Sequence, residues 1–313
     1  MNFTKSRVIT LVLLGVAFVG LAVLPQITTG YIVTLLIDIL KFAVLTLAWV
    51  IFSGPSGYMS LATAAFYGLG FYIAAVFSGV IPFPLLVLVA GAVAFLVALG
   101  VGALTLRLRG VYFAIFTFAL VLLIQSVVLE VERVVTKTRG RFVETQGTEA
   151  VYYAIFVVFV LTVVAAMLIR RSRYGLALQS IGEYEEAAAH SGINVVWTKV
   201  LIFAVSAVFM GMAGAIIATQ RTYIDPYIAF NLNTSFLPVL MAMFGGMGNL
   251  VGPVLGAALF TYIGELLLTR FPDLYMLIFG VVLIVAILFM PNGVLGLLQG
   301  LWRRIRGVRR APA

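Results

Sequence analysis

The chain has 313 residues, 63% of them hydrophobic and 10% charged, with a mean hydropathy of +1.18. A soluble domain is about half apolar and about a quarter charged, so this composition excludes one and points to a membrane protein. The formal net charge is +9 and cysteine is absent, which excludes a disulfide framework, thiolate chemistry and Cys-based metal sites.

In chain order, Lys5 and Arg7 precede an apolar stretch to Leu24 with no small-x-small cleavage pattern after it, so this segment is expected to be a retained first helix. Apolar runs near the length that spans a bilayer core predict ten spans: 8–24, 31–52, 58–79, 83–106, 111–129, 151–169, 200–219, 234–250, 253–268 and 274–290. Runs this long are not the short alternating segments of a β-barrel. The expected fold is therefore all-α, a polytopic membrane helical bundle of about 10 transmembrane helices, one transmembrane domain over 1–313.

Charge orients the bundle. With both termini cytosolic, the inner loops and tails collect thirteen cations: Lys5, Arg7, Arg107, Arg109, Arg170, Arg171, Arg173, Lys199 and five in the basic tail 301–313. The outer segments collect six, namely Arg133, Lys137, Arg139, Arg141, Arg221 and Arg270, which Glu130, Glu132, Glu144, Glu149, Asp225 and Asp273 offset. The excess positive charge then faces anionic lipid and carries no suggestion of nucleic acid.

Polar features inside the apolar background are few. Asp38 and Lys41 are spaced i, i+3 and can pair on one helical face. Glu265 is placed to reach the interface or Arg270. Small residues at 54–70 allow either close helix packing or a broken helix; Gly245–Asn249 admits the same two readings, with a tight helix-to-helix turn favoured. The longest polar stretch runs from Arg170 to Lys199, where a Glu–Ala cluster before Gly192 predicts a short helix ending there. His190, the single histidine, lies in this stretch and is expected to face solvent. No G-x-x-x-x-G-K-[ST] loop occurs, so the chain has no phosphate-cradling loop of that kind with which to hydrolyse ATP itself.

Several segments together resemble one family. Arg173–Lys199 is similar to the cytosolic EAA-type loop of branched-chain amino acid ABC transporter permeases of the LivM-like kind. GYMSLATAAFYGLGFYIAA at 57–75, LRLRGVYFAIFTFA at 106–119, FGGMGNLVGPVLGAAL at 244–259 and PNGVLGLL at 291–298 resemble further family segments in the same order. The resemblance implies a type II-like ABC importer permease in a bacterial or archaeal inner membrane, with no catalytic residues and no cofactor of its own. It implies as partners a paralogous LivH-like permease, two cytosolic ATPase subunits that bind ATP and Mg, and an extracytoplasmic substrate-binding protein. Loop 170–199 would be the cytosolic coupling loop, with Gly182, Glu183, Glu185, Glu186, Ala187, Ala188 and Gly192 as the ATPase contact.

The substrate pathway is expected at Ser60, Thr63, Tyr67, Tyr112 and Thr117, polar or amphipathic groups on the two motif-bearing helices. The chain departs from the family pattern at Ala62 and Thr63, where Gly-His is usual, at Val111 for Asp, and near Leu122 for Glu. Segment 130–150 also lacks T-G-G-x-x-G. These changes leave the pathway less polar. Branched-chain amino acids or a related small polar solute are the implied cargo; urea or short amides remain an alternative, as does a stand-alone ion-coupled secondary transporter.

Overall fold

The computed structural model describes residues 20–281, apart from 22, 136, 138, 273, 275, 276 and 279. Helices dominate because a backbone in hydrocarbon must satisfy its own hydrogen bonds. They are α1 (Gly30–Ser56), α2 (Thr63–Phe77), α3 (Phe83–Thr105), α4 (Val111–Val135), α5 (Thr148–Arg171), α6 (Arg173–Glu183), α7 (Glu185–His190), α8 (Val195–Ala218), α9 (Pro226–Ala229), α10 (Asn233–Gly245) and α11 (Val251–Arg270). Two short strands, β1 (Arg141–Phe142) and β2 (Tyr223–Ile224), pair antiparallel. Among the described residues, seven helical stretches are long and apolar enough to cross a membrane, Pro226–Gly245 counting as one, so the protein is a multi-pass, all-α membrane protein. The expected spans 8–24 and 274–290 lie almost wholly outside the described residues, as does the basic tail 301–313.

Helix α8 is the hub. Apart from Thr198, Lys199 and Ser206 it is apolar on all sides, and it packs against α1, α2 and α3. The approach is close because small residues face each other, the packing that serves where lipid supplies no hydrophobic drive. A Cβ built on Gly70 of α2 would lie 1.9 Å from the Gly211 carbonyl oxygen, and one on Gly214 would lie 2.0 Å from that of Tyr67.

The third expected span, 58–79, is corrected. Only Thr63–Phe77 is helical, which at 1.5 Å per residue gives about 22 Å, short of a bilayer core. Pro55 lies in the last turn of α1, and Gly57 then adopts φ 70°, a left-handed conformation that ends the helix. Residues 57–62 are non-helical. Side chains replace the lost helical bonds: Trp49 Nε1 donates to Ser60 O (2.7 Å), Leu61 N to Thr117 Oγ1 (3.0 Å), Ser235 Oγ to Leu61 O (2.7 Å) and Ala64 N to Ser235 Oγ (3.0 Å).

Two loops are shorter than expected. Helix α4 continues to Val135 and α5 starts at Thr148, so Glu130, Glu132, Arg133 and Glu149 sit on helices. Buried Glu132 accepts from Gly140 N (2.9 Å) and lies 3.5 Å from Arg141 Nε. Val143 N bonds Thr222 O and Gln146 N bonds Thr219 O (both 3.0 Å), and the β1–β2 pair completes the tie between this segment and the end of α8. The polar stretch 170–199 likewise begins within α5 and ends within α8, leaving α6 and α7 between them. Residues 246–250 form the helix-to-helix turn, with Asn249 Oδ1 accepting from Val251 N and Gly252 N.

The glycine seam sets a measurable expectation. Gly70→Ala must separate two backbones and is expected to cost at least about 1–3 kcal/mol, the range for overpacking. Gly100→Ala, with nothing within 4 Å of its Cβ, is expected to be neutral or mildly stabilising. Thermal unfolding of the purified variants checks this; equal midpoints would remove the seam from the account.

Candidate functional site

At one end of the bundle α6 and α7 form a folded element anchored by membrane helices on both sides. Ser172 caps α6, its Oγ accepting from Gly175 N (3.3 Å). Leu178 and Ile181 are buried beneath α6, and a Cβ on Gly182 would lie 2.1 Å from the Pro55 carbonyl oxygen, so α6 rests directly on the end of α1. Tyr184 is extended and separates the two helices. Glu185 and Glu186 occupy the first turn of α7, where the helix dipole favours anions. Gly192, at φ 83°, ends the element as its composition predicts, and Ile193 N bonds back to Ala188 O (3.2 Å). Asn194 Oδ1 then caps α8 by accepting from Trp197 N (3.0 Å).

Under α7 lies an ion-paired cluster. Tyr58 OH donates to Glu185 Oε2 (2.5 Å), and Lys199 Nζ donates to Glu185 Oε1 and to Tyr58 OH (both 3.2 Å). Lys199 also lies over the Tyr58 ring, 4.5 Å from its centroid. Arg109 Nε is 3.6 Å from Glu185 Oε1, and its NH1 is 3.7 Å from Glu186 Oε1. Burial pushes the Glu185 carboxyl up, but the Tyr58 hydrogen bond, Lys199 and Arg109 together hold it below the usual 4.5. The Tyr58 hydroxyl is pushed up, by burial first and by Glu185 second. Lys199 is only 1% exposed, so its charge depends on Glu185.

Sequence reasoning counted Lys199 as a loop cation and did not foresee this cluster. The available signal was the Asn194 cap, which starts the helix five residues before Lys199. Of the seven expected coupling residues, Glu183, Glu186, Ala187 and Gly192 are exposed, whereas Ala188 is buried, Glu185 points into the cluster and Gly182 abuts α1. His190 is exposed. A cavity of about 390 Å³ opens beside α7, between Tyr58, Arg109 and Glu183–Glu186.

The expected pathway residues separate. Ser60, Thr63 and Thr117 are buried at the helix break, Ser60 and Thr117 in its hydrogen bonding. Tyr112 lies apart from them: it precedes Thr117 by five residues, about 140° around α4, and is 75% exposed. Tyr67 alone reaches a large polar cavity of about 760 Å³, which it shares with Asp38, Lys41, Arg221, Asn231 and Asn233. Asp38 is eighteen residues before Ser56 on α1, which puts this cavity about 27 Å from the α7 end. Asp38 and Lys41 pair at 2.5 Å, as their spacing predicts. Glu265 accepts from Tyr31 OH (3.2 Å), an interaction the sequence did not suggest.

The family model for the branched-chain amino acid transport system permease component matches residues 31–287. The high-affinity branched-chain amino acid permease protein LivM of Salmonella typhimurium is 25% identical over 280 residues, covering 77% of this chain and 64% of the relative. The LivH permease protein of Escherichia coli K12 is 28% identical over 144 residues, 45% of each chain. The xylose permease protein XylH of Haemophilus influenzae is 30% identical over 109 residues, 34% of this chain and 29% of the relative. The chain thus spans less than two thirds of the length of its LivM relative. No solved structure matches it.

The cluster predicts an order of stabilities. Glu185→Ala strands Lys199 without a counter-charge and is expected to cost about 3 kcal/mol, the low end for breaking a buried pair because Glu185 is one-fifth exposed. Glu185→Ala with Lys199→Met is expected to recover more than half of that. Because the Glu185 carboxyl titrates below its usual value, its contribution is complete above pH 4.5 and is lost as pH falls through the depressed value. Denaturation of the three proteins at neutral pH and at pH 3 measures both effects; a double variant no more stable than Glu185→Ala contradicts the pairing.

Proposed function

The chain belongs to the branched-chain amino acid transport permease family, and from that premise we propose that it is the membrane permease subunit of an ATP-driven importer. The carrying observation is the α6–α7 element, a short folded lever held at both ends by membrane helices and tied underneath to the α1–α2 break through Glu185 and Tyr58. In this reading, two cytosolic ATPase subunits bind ATP and Mg and grip the exposed face of Glu183, Glu186, Ala187 and His190. Glu185 and Gly182 pass the resulting displacement inward to Tyr58 and the end of α1. The break is where motion would reach the bundle interior, since its backbone is held by single side chains of α1, α4 and α10 rather than by a helical ladder.

The complex would pair this chain with a LivH-like paralogue and receive solute from an extracytoplasmic binding protein in the inner membrane. With ten spans, both termini would face the cytosol, and α6–α7 with them. The relatives named for branched-chain amino acid and xylose transport support small polar solutes as cargo. The chain itself would perform no catalysis.

Glu186→Lys combined with Ala187→Glu changes exposed positions and spares the buried cluster. Co-expressed with its cognate ATPase subunits, this variant is expected to fold normally but to lose co-purification and at least about tenfold of ATP-dependent uptake, a ~1.4 kcal/mol change. Undiminished association and uptake would remove α7 as the contact.

A further inference from the structure

A third cavity, of about 360 Å³, opens where the end of α1, the end of α5, helix α6 and the turn at 246–250 meet. Its walls are fixed by backbone contacts. A Cβ built on Gly175 would lie 2.0 Å from the Ile169 carbonyl oxygen, and one on Gly182 would lie 2.1 Å from that of Pro55, so α6 cannot close the space by settling further. At 24 and 27 residues, α5 and α1 are about 36 and 40 Å long, enough to cross the hydrocarbon core, and their ends put the cavity at the level of lipid headgroups. Two side chains of opposite charge line it without pairing. The Arg170 guanidinium donates to Gly248 O (3.0 Å) and has no ion pair among the described residues, which leaves the rest of its fork free. The Glu183 carboxylate makes neither an ion pair nor a hydrogen bond among the described residues. The carbonyl ends of α1 and α5 add negative potential on the same walls. Ile51, Ile169 and Leu250 supply apolar lining, and Met247 is 40% exposed. Beyond the turn, Val251, Leu259, Tyr262 and Leu266 continue as an exposed apolar face of α11, within about 80° of one another around the helix.

We propose that this cavity binds the headgroup of an ethanolamine phospholipid. Arg170 takes the phosphodiester with the donors that Gly248 does not use, the planar fork being suited to a phosphate. The ammonium meets Glu183 and the carbonyl ends of α1 and α5, with Gln179 as a further hydrogen-bonding partner. The acyl chains leave past Met247 along the apolar face of α11, and that track singles out a lipid over a soluble phosphate ester. A trimethylated choline headgroup has no N–H to donate to Glu183, and a glycerol headgroup brings no cation to it, so both leave the carboxylate unmatched. A bound headgroup bridges α6, the end of α1 and the α10–α11 turn, so lipid composition sets how firmly α6 is braced. The site requires the chain to lie in a bilayer and is independent of the permease reading.

The test is native mass spectrometry of the purified full chain, without ATPase, in detergent containing phosphatidylethanolamine, phosphatidylglycerol and phosphatidylcholine of identical acyl chains in equal amounts. The ethanolamine lipid is expected to be retained in preference to either competitor by at least about threefold, in line with one additional hydrogen bond. Glu183→Gln is expected to remove that preference while the chain still retains phospholipid. Arg170→Gln is expected to weaken retention of all three lipids by at least about tenfold, the loss of a charge-assisted hydrogen bond. Arg170→Lys, which keeps the charge and loses the fork, is expected to fall between the two and to keep the order of preference, and it serves where Arg170→Gln folds poorly. An excess of soluble glycerophosphoethanolamine is expected not to displace the lipid. Equal retention of the three lipids, a preference that survives Glu183→Gln, or displacement by the soluble ester would overturn the assignment.

Discussion

A backbone that leaves the helix inside a bilayer must find new partners for its amide groups, and residues 57–62 show how much of the fold this requirement organises. The break ends α1 at Gly57 and restarts the chain as α2 at Thr63. Its carbonyls and amides are met by Trp49, Thr117 and Ser235, one side chain from each of three helices. Those helices are therefore held in register at one point by hydrogen bonds that hydrocarbon makes expensive to lose. A small movement of any one of them has to be accommodated at the break.

The Glu185 cluster extends that constraint to the aqueous edge. Tyr58 belongs to the break by chain position and to the cluster by its hydroxyl, so α7 and the interior share a residue. Lys199 adds a directional element, because an ammonium with 1% exposure cannot easily follow if Glu185 moves away. The geometry couples an exposed helix to a buried discontinuity through two hydrogen bonds and one ion pair. The same economy holds at the other end, where a few backbone bonds fix the chain around Arg221, which lines the same cavity as Asp38.

Much of this was legible from residue order. Apolar runs placed most of the described membrane helices, Gly192 placed the end of α7, and the i, i+3 spacing placed the Asp38–Lys41 pair. The misreadings share a cause. Lys199 was assigned to a loop because it is charged, although Asn194 had already capped a helix that buries it. Span 58–79 was drawn as continuous because its composition is apolar, and composition carries no record of which distant hydroxyls will stand in for a helical bond.

By itself, then, the sequence determined that the chain crosses a membrane repeatedly as helices, and where its one long polar element falls. Those outcomes follow from length, hydropathy and local capping, which act over a few neighbouring residues. Only the tertiary structure decided that Glu185 turns inward to Tyr58 and Lys199, that Ser235 supports a backbone 174 residues away, and that Arg221 and Asp38 face one cavity. Each of these joins residues far apart in the chain, and the cost of an unmatched charge or amide in a low-dielectric interior is paid or avoided only once the helices have packed.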